Sequence, residues 1–171
     1  MSGLFRRQLA NYVEYHRDPW NSLMHVFGIL FLFLAAILPL SLVQVSAFGV
    51  DTSLAVILSL PVLIYWLLLD TALGIAILAA AIVLLSVGAM IVGSVSTMTM
   101  WSIFAILTVL GVGAQIVGHQ VFERRQPSLV DNPSHLLLGP MFVMAKLFIA
   151  LGFRHDLAAI IAPTPSTVSA S

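Results

Sequence analysis

From Val26 onward the chain consists of long apolar runs that short polar segments interrupt. A helix needs about 20 residues to cross a hydrocarbon core about 30 Å thick. By that measure, residues 26–43, 54–69, 71–93 and 100–118 predict four transmembrane helices. Only Asp70 separates the second run from the third, so these two runs predict a tight hairpin with Asp70 at its tip. The pattern predicts an all-α, polytopic membrane helical bundle.

A further apolar run covers residues 136–151, but Gly139, Pro140 and Lys146 interrupt it. This run predicts a possible fifth helix, either re-entrant or transmembrane. The chain then ends in small and polar residues, which are typical of a disordered tail. We expect residues 1–155 to form a single integral membrane domain and residues 156–171 to form that short tail.

The residues before the first run predict a lead-in helix rather than a cleaved signal. They carry Arg6, Arg7 and Glu14 and lack an apolar core of the length that a signal peptide needs. Apolar residues recur there at helical spacing, which is typical of an amphipathic segment at the membrane interface. Asp18 followed by Pro19 predicts the start of the first long helix, because Asp is a good N-cap and Pro suits the first helical position.

Composition excludes several classes of protein. Hydrophobic residues make up 60% of the chain and charged residues only 8%, whereas a soluble domain has about 25% charged residues. The net charge is zero, which argues against a nucleic-acid partner because phosphate binding needs a basic surface. There is no cysteine, so a metal site would have to use histidine, carboxylate, amide or water ligands.

The positive charges predict the topology of the bundle. None lies between residues 18 and 123, so with four crossings both charged ends fall on one side, which the positive-inside rule makes cytoplasmic. The same topology brings every histidine to that side. We expect a multi-pass protein of a bacterial inner membrane, or of the endoplasmic reticulum if the chain is eukaryotic. The cations are Arg6, Arg7, Arg17, Arg124, Arg125, Lys146 and Arg154.

Two polar stretches, residues 15–25 and 118–135, carry the candidate chemistry. The first holds His16 and His25, and the second holds His119 and Glu123 one helical turn apart. Two histidines with one carboxylate are a recurrent set of ligands for non-haem iron. The alternative is that each histidine is an interfacial residue bonded to backbone or lipid headgroups. Because the topology brings His16, His25 and His119 to one side together, we favour a metal site there, with His135 as a further candidate ligand.

Other polar residues of these stretches have two readings each. Asn21 lies on the same helical face as His25, where it could support a ligand from behind. Asp131 and Asn132 could orient a ligand imidazole, or could cap the helix that follows. The candidate catalytic residues are Glu123, Arg124 and Arg125. The two arginines could bind a fatty carboxylate or could be charges of the headgroup region.

The two polar stretches resemble a known family. YHRDPWNSLMH, then GHQVFERRQPSLVDN with LLLGPMFVMAKLFIALGF after it, is similar to the membrane family of fungal 2-hydroxy fatty acid dioxygenases and its bacterial and plant relatives. The resemblance implies an enzyme that uses ferrous iron, Fe(2+), and O2 to shorten a 2-hydroxy fatty acid by one carbon within a lipid membrane. It also implies that His16, His25 and His119 hold the iron.

Two positions depart from the family pattern. The fungal form carries Gln where this chain has His135, so this histidine is either an added ligand or a neighbour of the site. Family members often carry Glu where this chain has Lys146, which would weaken a metal site or provide a cation for the substrate carboxylate.

Two other classes remain as alternatives. A small metal-binding or transport protein would bind a metal or proton without catalysis, and a transporter should show polar or broken helices near the middle of the bilayer. Here those stretches are almost wholly apolar. A scaffold would tolerate replacement of all its histidines.

Overall fold

A computed structural model describes residues 1–47, 49–124 and 133–161. The described residues form an all-α bundle with one small β-hairpin, which confirms the predicted fold class. The elements are α1 (Gly3–Val13), α2 (Pro19–Leu42), β1 (Gln44–Ala47), β2 (Val50–Ser53), α3 (Leu54–Leu69), α4 (Thr71–Ser94), α5 (Thr97–Val117), a π-helical turn (Gly118–Glu123), a 3-10 turn (Pro133–Leu137), α6 (Gly139–Ala150) and α7 (His155–Ile161).

The long helices match the predicted apolar runs. Within the described ranges, α2, α4 and α5 with its π-helical turn are long and apolar enough to cross a membrane. With 16 residues, α3 extends over about 24 Å, which is shorter than a hydrocarbon core of about 30 Å. The predicted fifth segment is a bent pair, in which α6 and α7 meet at 119° as in a broken span or a re-entrant loop.

The start of α2 follows the predicted capping pattern. The Asp18 side chain accepts hydrogen bonds from the backbone N–H groups of Trp20 and Asn21, and Pro19 occupies the first helical turn. The lead-in is also helical, as predicted. Its apolar face does more than lie at an interface, since Phe5, Leu9 and the residues one turn on are buried in the core cluster formed with α6 and α7.

Small residues bring α5 close to α2. A Cβ atom on Gly111 would lie 2.7 Å from the Leu32 side chain and 3.2 Å from the carbonyl oxygen of Gly28. A larger residue would push the two helices apart, which fits the role of glycine in close helix packing within membranes. This packing holds the start of α2 beside the end of α5, where the candidate ligands lie.

Residues 44–53, which in the sequence only separate two apolar runs, form a β-hairpin. β1 and β2 pair antiparallel, with Gln44 opposite Ser53 and Ala47 opposite Val50. Gly49 in the turn has a φ of +77°, which a glycine adopts without strain. This hairpin connects α2 to α3 at the end of the bundle opposite the histidines.

Asp70 lies at the predicted hairpin tip and also ties several elements together. Its carboxylate caps α4 through the Leu73 N–H and pairs with Arg154 through two hydrogen bonds of 2.8 and 3.0 Å. The amino group of Met1 is 3.4 Å away. Burial alone would raise the pKa of Asp70, but the hydrogen bonds from Arg154 and Leu73 and the nearby positive charge hold that pKa below its usual range.

Candidate metal centre

Three different elements supply the histidines of the site. His16 follows α1 in the turn that leads to Asp18, His25 lies in the second turn of α2, and His119 is the second residue of the π-helical turn. π-helical turns within α-helices are frequent at functional sites. The helix continues past His119 as far as Glu123.

The three imidazole rings converge on one point. The Nε2 atom of His25 is 3.1 Å from Nε2 of His16 and 3.0 Å from Nε2 of His119. One nitrogen of each ring lies within 4.8 Å of those of the other two. The three side chains are buried, with exposed fractions of 2% to 6%. The predicted convergence of these histidines is therefore present in the structure.

Hydrogen bonds between the three rings cannot satisfy all three Nε2 atoms at once. Nδ1 of His16 is 2.8 Å from the carbonyl oxygen of Tyr12, to which it donates, so Nε2 of a neutral His16 carries a lone pair. A single proton on Nε2 of His25 can form a linear hydrogen bond to only one of its two neighbours. A cation between three lone pairs satisfies all of them together.

The charge state of His16 suits a metal ligand. Burial lowers its pKa to about 3, and the nearby His119, His135 and Lys146 act in the same direction. His16 is therefore neutral at physiological pH, which is the form that binds metals.

The two Nε2 separations that involve His25 also fit a metal ion. Two ligands that are about 2.1 Å from one ion and at right angles to each other lie about 3.0 Å apart. The two short Nε2 separations have this value. Among the described residues, His16, His25 and His119 form the group of ligand-type side chains that could hold a metal ion.

The alternative of interfacial histidines agrees less well with this geometry. One nitrogen of His16 does bind the backbone, but its other nitrogen faces His25. All three side chains are buried, whereas residues bonded to lipid headgroups lie at the surface.

Glu123 lies at the site but supports it from a different position. Its Oε1 atom accepts hydrogen bonds from the Asp18 backbone N–H at 2.7 Å and from Nδ2 of Asn21 at 3.1 Å. These bonds join the end of the π-helical turn to the start of α2. Glu123 is not a member of the group of three histidines, and its predicted catalytic role stays a prediction.

Asn21 is buried between the two helices that carry His25 and His119. Gly118 makes room for it, because a Cβ atom on Gly118 would collide with Oδ1 of Asn21. Within the described ranges, Oδ1 of Asn21 and Nδ1 of His119 have no hydrogen-bond partner. The roles predicted for Asp131 and Asn132 stay predictions, since both residues lie outside the described ranges.

The remaining candidates lie around the cluster. His135 is buried, and its ring edge contacts the rings of Tyr12 and Tyr15 at centroid distances of 5.3 and 5.8 Å. It is not part of the group of three, so its role as a fourth ligand stays a prediction. Arg124 is exposed and has a left-handed backbone with φ of 53°, and Arg125 lies outside the described residues.

Tyr12 is a residue that the sequence analysis missed as part of the site. Its ring stacks on the His16 ring at a centroid distance of 3.9 Å and an angle of 7°, and its carbonyl oxygen holds Nδ1 of His16. The spacing of four residues between Tyr12 and His16 was the available signal, because such residues are neighbours on a helix.

The fold and this site define a multi-helix membrane protein with three buried histidines gathered at one end of the bundle. The model of the Mpo1-like family, described as 2-hydroxy-palmitic acid dioxygenase Mpo1-like, matches residues 3–151. The chain belongs to this family, which confirms the resemblance drawn from the two polar stretches. It is 32% identical over 155 residues to the 2-hydroxy-palmitic acid dioxygenase MPO1 of Saccharomyces cerevisiae, a match that covers 90% of this chain and 85% of the yeast protein. No solved structure matches the chain.

Proposed function

We propose that this protein is an Fe(II)-dependent dioxygenase that shortens 2-hydroxy fatty acids by one carbon. The observation that carries the proposal is the convergence of His16, His25 and His119 on one buried point. The similarity to a dioxygenase of 2-hydroxy-palmitic acid supports the choice of substrate and of O2 as co-substrate. With O2 as the oxidant, carbon 1 leaves as carbon dioxide, carbon 2 becomes the new carboxyl carbon, and one molecule of water is released.

Iron is the metal that this set of ligands and this reaction favour together. The site offers imidazoles and no thiolate, a ligand set that suits iron as well as zinc, copper and nickel. The use of O2 as oxidant favours iron, which would supply activation of O2 at this site. Three protein ligands would leave further positions for O2 and for the 2-hydroxyl of the substrate.

The other residues of the site position these ligands. The Tyr12 carbonyl fixes the tautomer and orientation of His16, as ligand-supporting groups do at metal sites. Glu123 and Asn21 hold the His25 and His119 helices in register. Burial of the cluster excludes bulk water from the reacting atoms.

The proposal also includes the setting of the site. We place residues 1–155 in one membrane domain, with the histidine end on the cytoplasmic side where Arg6, Arg7 and Arg17 lie. The fatty acyl chain would then reach the site from the lipid bilayer.

The first test is metal content, measured by elemental analysis of protein purified in mild detergent and reconstituted anaerobically with Fe(II). We expect about one iron per chain, and loss of that iron when His16, His25 and His119 are replaced together by alanine. The matched control is His155→Ala, which removes an exposed histidine outside the cluster and should keep the iron.

The second test is consumption of O2 by the iron-loaded protein with 2-hydroxypalmitic acid, with the shortened acid identified by mass spectrometry. Turnover that persists in His119→Ala would contradict the proposed site. Iron binding without any turnover would identify a metal-binding membrane protein, and no bound metal in either sample would remove the basis of the proposal.

A further inference from the structure

An apolar groove runs along one face of α2, between this helix and α3, α4 and α6. Its volume is about 270 Å³, and its walls are apolar side chains apart from the hydroxyl of Ser59. On α2 the groove extends from Val26 through Ile29 and Phe33 to Leu40. The fourteen helical steps from Val26 to Leu40 rise about 21 Å, whereas one leaflet of the hydrocarbon core is about 15 Å thick. The groove is therefore long enough for one extended acyl chain.

A half-buried cation lies at the histidine end of this groove. Nζ of Lys146 on α6 donates a hydrogen bond of 2.5 Å to Oγ of Ser22 and lies 4.8 Å from the centre of the Phe142 ring. Ser22 precedes Val26 by four residues, so it lies on the face of α2 that lines the groove. His25 is also one turn from Ser22. The charged end of the groove is thus next to the histidine cluster.

The charge on Lys146 is not compensated by a contact ion pair. The ion pairs found in the described parts of the chain involve Asp70, Arg154, Asp156 and the amino terminus, and none includes Lys146. The carboxylates of Glu123 and Asp18 act on Lys146 from beyond ion-pair distance, and Glu123 already accepts two hydrogen bonds from Asp18 and Asn21. Among the described residues, the direct contacts of this half-buried ammonium group are a hydroxyl and an aromatic ring, an environment that favours an anionic ligand.

We propose that Lys146 and the groove together bind a long-chain carboxylic acid, with its carboxylate at Nζ of Lys146 and its chain along α2 from Val26 toward Leu40. Identification of this acid as the substrate rests on the proposed function, but the binding itself does not require a metal. Lys146 contacts Ser22, which lies one helical turn from His25, so a carboxylate held at Lys146 would bring carbon 2 of the acid close to the histidine cluster. Lys146 is thus a positioning residue, and the groove selects chain length.

The charge is tested by comparing the wild-type protein with Lys146→Gln and Lys146→Arg in nanodiscs of phosphatidylcholine, each without metal and with Fe(II). Binding of palmitic acid and of uncharged hexadecanol is measured by displacement of a fluorescent fatty acid. We expect Lys146→Gln to lower the affinity for palmitic acid by about tenfold or more, because the variant loses one hydrogen bond from a charged group. Hexadecanol should bind equally to both proteins, and Lys146→Arg should restore most of the affinity for palmitic acid.

The groove is tested with two neighbouring alanines of α4. Ala80 lines the groove, whereas Ala79 is exposed and is not part of the lining. Ala80→Phe should lower the affinity for palmitic acid more than the affinity for octanoic acid, because the added ring blocks the part of the groove that only the longer chain reaches. Ala79→Phe adds the same ring on the outer face and should leave both affinities unchanged.

Three results would overturn the inference: equal affinity of Lys146→Gln and wild type for palmitic acid, equal effects of the two phenylalanine variants, or displacement of palmitic acid by phosphatidylglycerol at equal concentration. The last result would assign the site to an anionic lipid headgroup. Measuring the metal content of each sample distinguishes a failure of this inference from a failure of the proposed function. Lys146-dependent binding of palmitic acid by a protein that takes up no iron would support this inference while refuting the proposed function.

Discussion

Replacing Asp70 with Asn tests how the bundle is held together at its histidine end. The amide oxygen of Asn can still cap α4, because Asn and Asp are about equally good N-caps. The change removes the negative charge and turns one of the two acceptors that face Arg154 into a donor. It therefore isolates the ion pair from the helix cap.

The expected loss follows from the contacts of the pair. The Asp70 side chain is 2% exposed and that of Arg154 is 18% exposed, so solvent screens the pair little. A hydrogen bond to a charged group contributes about 1.5–3 kcal/mol, and breaking a buried pair by removing one partner costs about 3–5 kcal/mol. Arg154 keeps its bonds to Asp156, which limits the penalty. We therefore expect Asp70→Asn to lower the free energy of unfolding by about 2–3 kcal/mol.

The assay is thermal unfolding in one detergent, followed by tryptophan fluorescence. For a chain of this size each kcal/mol shifts Tm by about 2–4 °C, which gives a decrease of about 4–12 °C. Asp156→Asn is the matched control, because it removes an exposed carboxylate from the same Arg154 and should shift Tm much less. Because the pKa of Asp70 is lowered in the folded state, its contribution is present above the unfolded pKa of about 3.9 and is lost as the pH falls through the lower folded value. A Tm of Asp70→Asn equal to that of the control would refute this account.

Three further predictions concern the site and its supports. Gly118→Ala should displace Asn21 and lower the metal affinity by about 10- to 100-fold, as substitutions of residues that support metal ligands do. Metal titration measures this affinity, and an unchanged value would contradict the prediction. Trp66→Phe removes the 2.7 Å hydrogen bond from Nε1 to the Leu137 carbonyl and should cost about 1 kcal/mol, measured as Tm, with Trp101→Phe as control. Saturation of the metal-free protein with Fe(II) at about 100 times Kd should stabilise it by about 2.7 kcal/mol, and a triple histidine variant that gained as much would place the metal elsewhere.

The sequence predicts those parts of the structure that depend on local pattern. Hydrophobic runs gave the long helices, Asp18 and Pro19 gave the start of α2, and Asp70 gave the hairpin tip, because each depends on a few adjacent residues. The convergence of the histidines also followed, since the four helices from α2 to α5 return the chain to the end of the bundle from which α2 starts.

Other parts depend on contacts between distant residues and could not be predicted in this way. The partner of Asp70 is 84 positions away, and no local rule selects Arg154 from the other cations. The π-helical turn at Gly118 depends on the fit of Gly118 and Glu123 against Asn21 of α2. The hairpin at residues 44–53 has strands of only four residues, and the sequence of so short a strand resembles that of a loop until its pairing is known.

The spacing of the histidines along the chain has a consequence for the order of events during synthesis. His25 and His119 are 94 positions apart, and α3, α4 and α5 lie between them. A ribosome that adds about 5–20 residues per second needs about 5–20 s to make that stretch. Until α5 has been inserted and packed on α2, the nascent protein offers His16 and His25 alone. A metal at the proposed site would thus be held by all three histidines only in chains whose helices have already assembled.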